Sequence, residues 1–289
     1  MKVIAKENKI VLEDLDYFNP EHIFKCGQAF RWKEEEDGSY TNVAYNKIIN
    51  VKGTGDVTIN SSLDDFENIW RDYFDLNRDY KSIRKELSFD ETLRKALDYG
   101  KGIRILNQEP FETIITFIIS ANNQIPRIKK SIELISKMYG SSLGSYMGEE
   151  YYSFPGSEEL SKAKAEDLRE FARVGFRDKR IVETSKLISE GFIDIDSLYE
   201  IPIEDARKEL MKLPGVGPKV ADCVLLFAFK RSESFPVDVW IKRVMEELYL
   251  KEETKKDLIG SEGRRIFGKN AGFAQQYLFY YGRENKLGR

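Results

Sequence analysis

Lys219 and Asp238 are the residues best placed, by type and surroundings, to carry out a reaction. Each stands at the start of a helical pattern. Lys219 follows Gly217-Pro218, and Asp238 directly precedes the pattern 239–249. An amine kept neutral is a nucleophile, and two influences push Lys219 that way. The positive end of the helix macrodipole disfavours a second positive charge. The apolar run 220–229 argues for a buried helix, and burial again disfavours charge. A lysine placed there costs stability unless it has a use. Its other readings are a stem that carries the ammonium out to solvent, or a partner for a phosphate. Asp238 follows Phe235-Pro236-Val237 and suits an N-cap. Capping alone accounts for it. Capping also fixes where a carboxylate points, so it is compatible with stabilising a positive charge.

The element that must position the lysine is Leu213-Pro-Gly-Val-Gly-Pro-Lys219. Residues 203–212 read as a short amphipathic helix that Pro214 and Gly215 stop. Pro218 suits the first position of the next helix, where its missing N–H would be unpaired anyway. Helix, tight glycine turn, helix is the order of a helix-hairpin-helix element. Its turn exposes backbone N–H groups at a helix N-terminus, which suit a phosphate. Gly215 and Gly217 have no Cβ to hold that phosphate away. A plain corner between two core helices has the same pattern, and Gly-x-Gly alone does not separate the two.

Around this stretch the chain divides into two kinds of pattern. The first 60 residues read as an antiparallel meander: a hairpin over 3–15 turning near Glu7-Asn8, then strands at 30–33, 40–45, 48–52 and 56–59. Helical periodicity starts at Ser62 and continues to the end with almost no strand signal. The expected helices are 62–74, 79–87, 91–99, 111–123, 126–138, 158–173, 177–190, 203–212, 218–230, 239–249, 253–259 and 270–283. The fold class is α+β: an N-terminal sheet domain with helices over 1–100, and a helical domain over 101–289 that contains the hairpin element at about 203–230. Tyr99-Gly100-Lys101-Gly102 marks the boundary.

Composition excludes several classes. The chain has 289 residues, 46 Lys+Arg against 49 Asp+Glu, and a net charge of -3. It is not held on a polyanion by bulk charge. Residues 1–100 carry 15 basic and 20 acidic groups and the rest carry 31 and 29, so a nucleic-acid surface must be a local patch in the later part. The two cysteines, Cys26 and Cys223, and the one histidine, His22, make no zinc set, no disulfide framework and no four-cysteine iron–sulfur site. No signal peptide or membrane span is legible. The expectation is a soluble cytoplasmic monomer (nucleoid-associated if bacterial) that needs no cofactor.

Five motifs, in order along the chain, carry a resemblance: Gly27-Gln-Ala-Phe-Arg-Trp32, Ser120-Ala-Asn-Asn-Gln-Ile-Pro-Arg127, Val174-Gly-Phe-Arg177, the hairpin with Lys219 to Cys223 and Pro236-Val-Asp238, and Ala271-Gly-Phe-Ala-Gln-Gln-Tyr-Leu-Phe279. Together they resemble the helix-hairpin-helix, Gly/Pro-Asp superfamily of DNA glycosylases, and within it the 8-oxoguanine branch. The resemblance implies a sheet domain resting on a helical one, with the DNA cleft in the helical part and the N-terminal motif reaching it.

By pattern alone, Gly27 is a bend before a strand, Phe279 is core and Gln275 its rim, and Cys223 is a small buried hydrophobe. The resemblance adds roles. The carbonyl of Gly27 accepts the N7–H that 8-oxoguanine has and guanine lacks. Phe279 stacks on the extruded base, Gln275 reads its Watson–Crick edge and Cys223 packs on its other side. Asn122 fills the space the base leaves, Arg127 contacts the partner base and Phe176 wedges beside it. The hairpin, through Gly215, Gly217 and Val220, holds a phosphate. Trp240 stands where eukaryotic members carry a phosphate-binding histidine, and Phe176 where the branch carries tyrosine. The resemblance also raises a structural cation on the carbonyls of Met211, Leu213 and Val216.

The implied activity is bifunctional. Lys219 displaces 8-oxoguanine from the sugar, Asp238 assists, and an imine permits β-elimination that nicks the strand. Two alternatives stand beside it. One is a sibling glycosylase for another damaged base. The other is a non-catalytic binding module, which leaves Lys219 and Asp238 without a task and binds DNA without regard to the lesion.

Overall fold

In a computed structural model that describes residues 1–287, the first strands form one sheet. β1 (Lys2–Lys6), β2 (Lys9–Leu15), β3 (Lys33–Glu34), β4 (Tyr40–Ala44), β5 (Lys47–Lys52) and β6 (Gly55–Ile59) pair antiparallel in the order β1-β2-β6-β5-β4-β3. Alternate residues fill its core: Ile10 and Leu12, Ile49 and Val51, Val57 and Ile59 are all fully buried. The expected hairpin at Glu7-Asn8 forms, with Lys6 paired to Lys9. The expected strand at 30–33 shrinks to Lys33–Glu34. Its backbone is pinned by side chains instead of a ladder: Lys129 Nζ donates to the Trp32 carbonyl at 2.7 Å, and Gln108 Nε2 to that of Gln28 at 2.8 Å.

Helices cover this sheet and then build the larger body. α1 (Pro20–Lys25) precedes β3, and its Phe24 stacks on Trp32 with ring centroids 3.6 Å apart. α2 (Leu63–Asp65), a π-helical turn (Phe66–Trp70) and α3 (Arg71–Tyr73) run on continuously and press Phe66, Trp70, Tyr73 and Phe74 into the sheet's core. α4 (Tyr80–Leu87) and α5 (Glu91–Tyr99) belong by packing to the second, helical core, together with Cys26 and Phe30. That core contains α6 (Pro110–Ser120), α7 (Ile125–Tyr139), α8 (Ser157–Ser161), α9 (Ala165–Glu170), α10 (Asp178–Ser189), α11 (Ile203–Leu210), α12 (Pro218–Ala228), α13 (Val239–Met245), α14 (Lys256–Phe267) and α15 (Ala271–Glu284). α12 is apolar almost all round and runs through its middle, with every residue from Val220 to Ala228 buried, Asp222 included, which pairs with Arg207.

Four departures from the expected elements have physical causes. α1 was not expected, although Asn19 caps it, accepting from the Glu21 N–H at 2.9 Å, and Pro20 starts it. A two-stranded hairpin, β7 (Ser142–Tyr146) and β8 (Glu149–Tyr152), stands where no strand was expected. Its turn is Met147-Gly148, both at positive φ, the geometry that matches strand twist. The single helix expected at 158–173 breaks into α8 and α9, each lying against α10. The helix expected at 253–259 is longer, because Gly260 and Gly263 continue it. Glycine in a helix reads as a stop, but here close approach demands it. A Cβ on Gly263 would lie 2.4 Å from the Phe235 ring, which is fully buried and stacked on Phe267.

Gly263→Ala tests that packing. Helix propensity favours alanine by about 0.5–1 kcal/mol, whereas overfilling a core costs about 1–3 kcal/mol. The clash involves a buried ring, so the second effect dominates. The expected result is a lower urea midpoint at unchanged slope.

Candidate active site

The hairpin positions the lysine through its backbone. Gly215 sits at φ +88, and a Cβ there would meet Ile118 at 3.1 Å and Arg180 at 3.3 Å. Thr184 Oγ1 donates to the Pro214 carbonyl at 2.9 Å and ties the turn to α10. Gly217 is the N-cap of α12 and Pro218 its first residue, and among the described residues no side chain caps the helix. The first-turn N–H groups of Lys219 and Val220 are therefore available to an anion. The Leu213 carbonyl accepts from the Val216 N–H at 3.1 Å.

Lys219 is half-buried, with Nζ 4.8 Å from the centroid of the Phe117 ring. Among the described residues no carboxylate lies within 4.0 Å of that amine. Asp238 is half-buried and caps α13, its Oδ1 accepting from the Ile241 N–H at 2.8 Å. Burial pushes its carboxyl above the usual range. The Ile241 N–H and the Lys219 side chain oppose the shift without cancelling it. Cys223, one turn after Lys219, is buried, and burial pushes its thiol up to about 11. Cys26 behaves likewise. Both are held as thiols, so neither competes with the amine as a nucleophile.

Lys219 and Asp238 lie where two spaces meet. One is an open cleft of about 700 Å³, lined by Asn122, Gly215, Gly217, Lys219, Asp238 and Trp240 among others, all between residues 120 and 260. The other is a small cavity of about 50 Å³, lined by Gly27, Lys219, Cys223, Asp238, Gln275 and Phe279 among others. The small cavity gathers side chains and backbone from positions nearly the whole chain apart. Gln275 is 5% exposed, and its Oε1 has no partner among the described residues. Buried polar atoms are nearly always paired, so this one awaits a hydrogen-bond donor. Phe279 lies against Gly27, 3.1 Å from where a Cβ would stand.

Asn122, in the cleft wall at φ 49, and Arg127, in the first turn of α7 and outside that wall, are both exposed. Phe176 is 59% exposed, with the guanidinium of Arg177 4.3 Å from its ring centroid. Arg177, which stands in one of the five motifs, is not among the expected site residues. It is buried and donates from Nε to the Ala121 carbonyl at 3.2 Å and from Nη2 to that of Asn122 at 3.2 Å. It therefore joins the Asn122 turn to the Phe176 turn. Phe117, the floor under Lys219, was read only as apolar helix. Trp240 lies in the cleft wall with the Arg243 guanidinium 5.5 Å from its ring.

A half-buried amine near a capping carboxylate, where a cleft meets a small recess with an unpartnered amide oxygen, behind a hairpin of exposed N–H groups, defines a class. The chain belongs to the HhH-GPD superfamily of base excision DNA repair proteins, which residues 115–267 match. Residues 10–114 match the N-terminal domain of 8-oxoguanine DNA glycosylase, which places the chain in that branch. A solved 8-oxoguanine glycosylase/lyase from Clostridium acetobutylicum, in complex with double-stranded DNA containing cytosine opposite 8-oxoguanine, is 42% identical. It covers 99% of each chain with a TM-score of 0.96. A probable N-glycosylase/DNA lyase of Methanothermobacter thermautotrophicus is 34% identical over 74% of each chain. The N-glycosylase/DNA lyase of Saccharomyces cerevisiae is 32% identical over 89% of this chain and 81% of its own. Among the described residues no helix is long and apolar enough to cross a membrane.

Proposed function

We propose that this chain is a bifunctional 8-oxoguanine DNA glycosylase and abasic-site lyase acting on double-stranded DNA in base excision repair, with Lys219 as nucleophile. The observation that carries the residue assignment is the shared position of Lys219 and Asp238, which line both the large cleft and the small cavity. A base turned out of a duplex in the cleft passes these two residues to enter the cavity. The cavity holds little more than one water's share of liquid, about 30 Å³. Phe279, whose ring rests on Gly27, is the side chain that has to yield to the base.

In the bound state the Gly27 carbonyl accepts the N7–H of 8-oxoguanine. Guanine presents an acceptor at N7, so the same carbonyl repels it. Gln275 offers its unpartnered Oε1 to the Watson–Crick edge, Phe279 covers one face and Cys223 the other. Asn122, Arg127 and Phe176 occupy and brace the gap in the duplex. Gly215, Gly217 and Val220 hold a phosphate by backbone, and Trp240 faces the same strand. The amine of Lys219 gives up a proton and attacks C1′. The N-glycosidic bond breaks with its electron pair leaving on the base, which takes up a proton. Asp238 offsets the positive charge that develops on the sugar and receives the proton the amine sheds. The imine between Nζ and C1′ acidifies the C2′ hydrogen, whose removal expels the 3′ phosphate and nicks the strand. The carbonyls of Met211, Leu213 and Val216 are neutral oxygens and suit a hard cation in a structural capacity. No step runs through it.

The test is a borohydride trap. A duplex carrying 8-oxoguanine, incubated with the protein and reductant, is expected to yield a covalent complex, and undamaged duplex none. An equal yield from both, or none from either, overturns the reading. Placing each of the four bases opposite the lesion then measures the partner preference.

A further inference from the structure

We infer that Gln276 and Arg283 are positioning residues that fix the Gly27 carbonyl at a set distance from Gln275, and so set selectivity for a purine bearing hydrogen on N7. The inference rests on the 8-oxoguanine reading given above.

Three carbonyls around Gly27 are each held by a side chain. Gln276, 2% exposed, donates from Nε2 to the Cys26 carbonyl at 2.7 Å. Arg283 Nη2 donates to the Lys25 carbonyl at 2.7 Å. Gln108 holds that of Gln28 at 2.8 Å. Among the described residues no donor reaches the carbonyl of Gly27 itself. The glycine between these anchors sits at φ +83, a conformation that other residues adopt only with strain. The Gln28 side chain adds a second brace from the opposite wall: its Nε2 donates to the Arg104 carbonyl and its Oε1 accepts from the Leu106 N–H, both at 2.8 Å.

Both donors on the first wall come from α15, the helix that also carries Gln275 and Phe279. Gln276, Phe279 and Arg283 succeed one another at spacings of three and four and share a face. Arg283 also lies 5.3 Å from the Phe279 ring centroid. One rigid helix therefore carries the reader of the Watson–Crick edge and clamps the reader of the opposite edge. The gap between the two readers is set by a hydrogen bond, and it has to match one purine. Discrimination at N7 is an attraction for one base and a repulsion for the other, and both fall off with small displacements of the carbonyl. A displacement of about 1 Å at a reacting site can cost about 100-fold.

The experiment compares Gln276→Leu and Arg283→Leu with the wild-type full chain in two single-turnover assays. One follows base excision from an 8-oxoguanine duplex. The other follows nicking of a preformed abasic site, where there is no base to read. The expected result is excision slowed about 100-fold in Gln276→Leu, and less in Arg283→Leu, with abasic-site nicking unchanged. Competition binding is expected to show a reduced preference for the 8-oxoguanine duplex over the guanine duplex. If excision and nicking fall in parallel in both variants, these contacts hold the fold and not the reader, and the inference is overturned. It is equally overturned if neither assay moves. Wild-type excision in the same series tests the functional reading separately: no excision by the wild type removes that reading, whereas wild-type excision with an unaltered ratio in the variants removes only the clamp.

Discussion

Replacing Lys219 with glutamine abolishes the trapped complex and strand nicking, and slows base excision by on the order of 10³-fold or more, while duplex binding and stability stay near wild type. An amide nitrogen is not a nucleophile, and no imine forms through it. The two thiols lining the cavity, Cys26 and Cys223, do not replace the amine, since burial holds both protonated. The stability side is a balance of two small effects. Glutamine loses the contact of the charged amine with the Phe117 ring, worth about 0.5–1 kcal/mol. It also removes a positive charge from the first turn of α12, which returns about 0.3–1 kcal/mol. The two nearly cancel, so a folded, DNA-binding and inert protein is expected. Borohydride trapping, single-turnover excision and thermal unfolding measure the three properties on one preparation. A glutamine variant that still traps would move the reaction to another residue.

The chemistry was more legible in the sequence than the machinery that aims it. Lys219 and Asp238 could be found because each violates or satisfies a local rule: a lysine at the wrong end of a helix, an aspartate at the right end. The hairpin was legible for the same reason, since glycine and proline punctuate a chain wherever they occur. Features made by long-range packing were not. α14 looked short because Gly260 and Gly263 resemble a stop, and only the Phe235 ring lying against Gly263 explains them. The β7–β8 hairpin has no alternating apolar face, and its strands are mostly exposed, so periodicity had nothing to detect. Arg177 carries no local signal of burial, yet it is buried under the Asn122 turn. The bond from Gln276 to the Cys26 carbonyl joins residues 250 positions apart and uses a backbone acceptor, which leaves no trace in residue type. α1 is the exception, a helix outside the expected elements that does have a local signal, Asn19-Pro20. The recognition surface was therefore reached only through resemblance to a family, and the structure supplies its physical basis.

Asp238→Asn separates the two tasks of one side chain. Asparagine caps a helix about as well as aspartate, whereas alanine costs about 1 kcal/mol. The Asn variant should therefore keep the bond to the Ile241 N–H that starts α13, and the Ala variant should not. Both lose the carboxylate that faces the developing charge, and removing one such electrostatic partner costs about 10²–10³-fold in rate. Excision thus falls alike in both variants, and thermal stability falls only in Asp238→Ala. The pH dependence has a definite sign. Burial raises the folded-state value of Asp238 above its ordinary 3.8, so the folded protein holds this proton more tightly than the unfolded chain does. Its stabilising contribution is full below the ordinary value and is lost as pH rises through the folded one. At neutral pH the ionised carboxylate is a net cost to the fold, which Asn removes. Asp238→Asn should accordingly be at least as stable as wild type at pH 7 and lose that advantage in acid. An Asn variant with undiminished excision would leave Asp238 as a helix cap and nothing more.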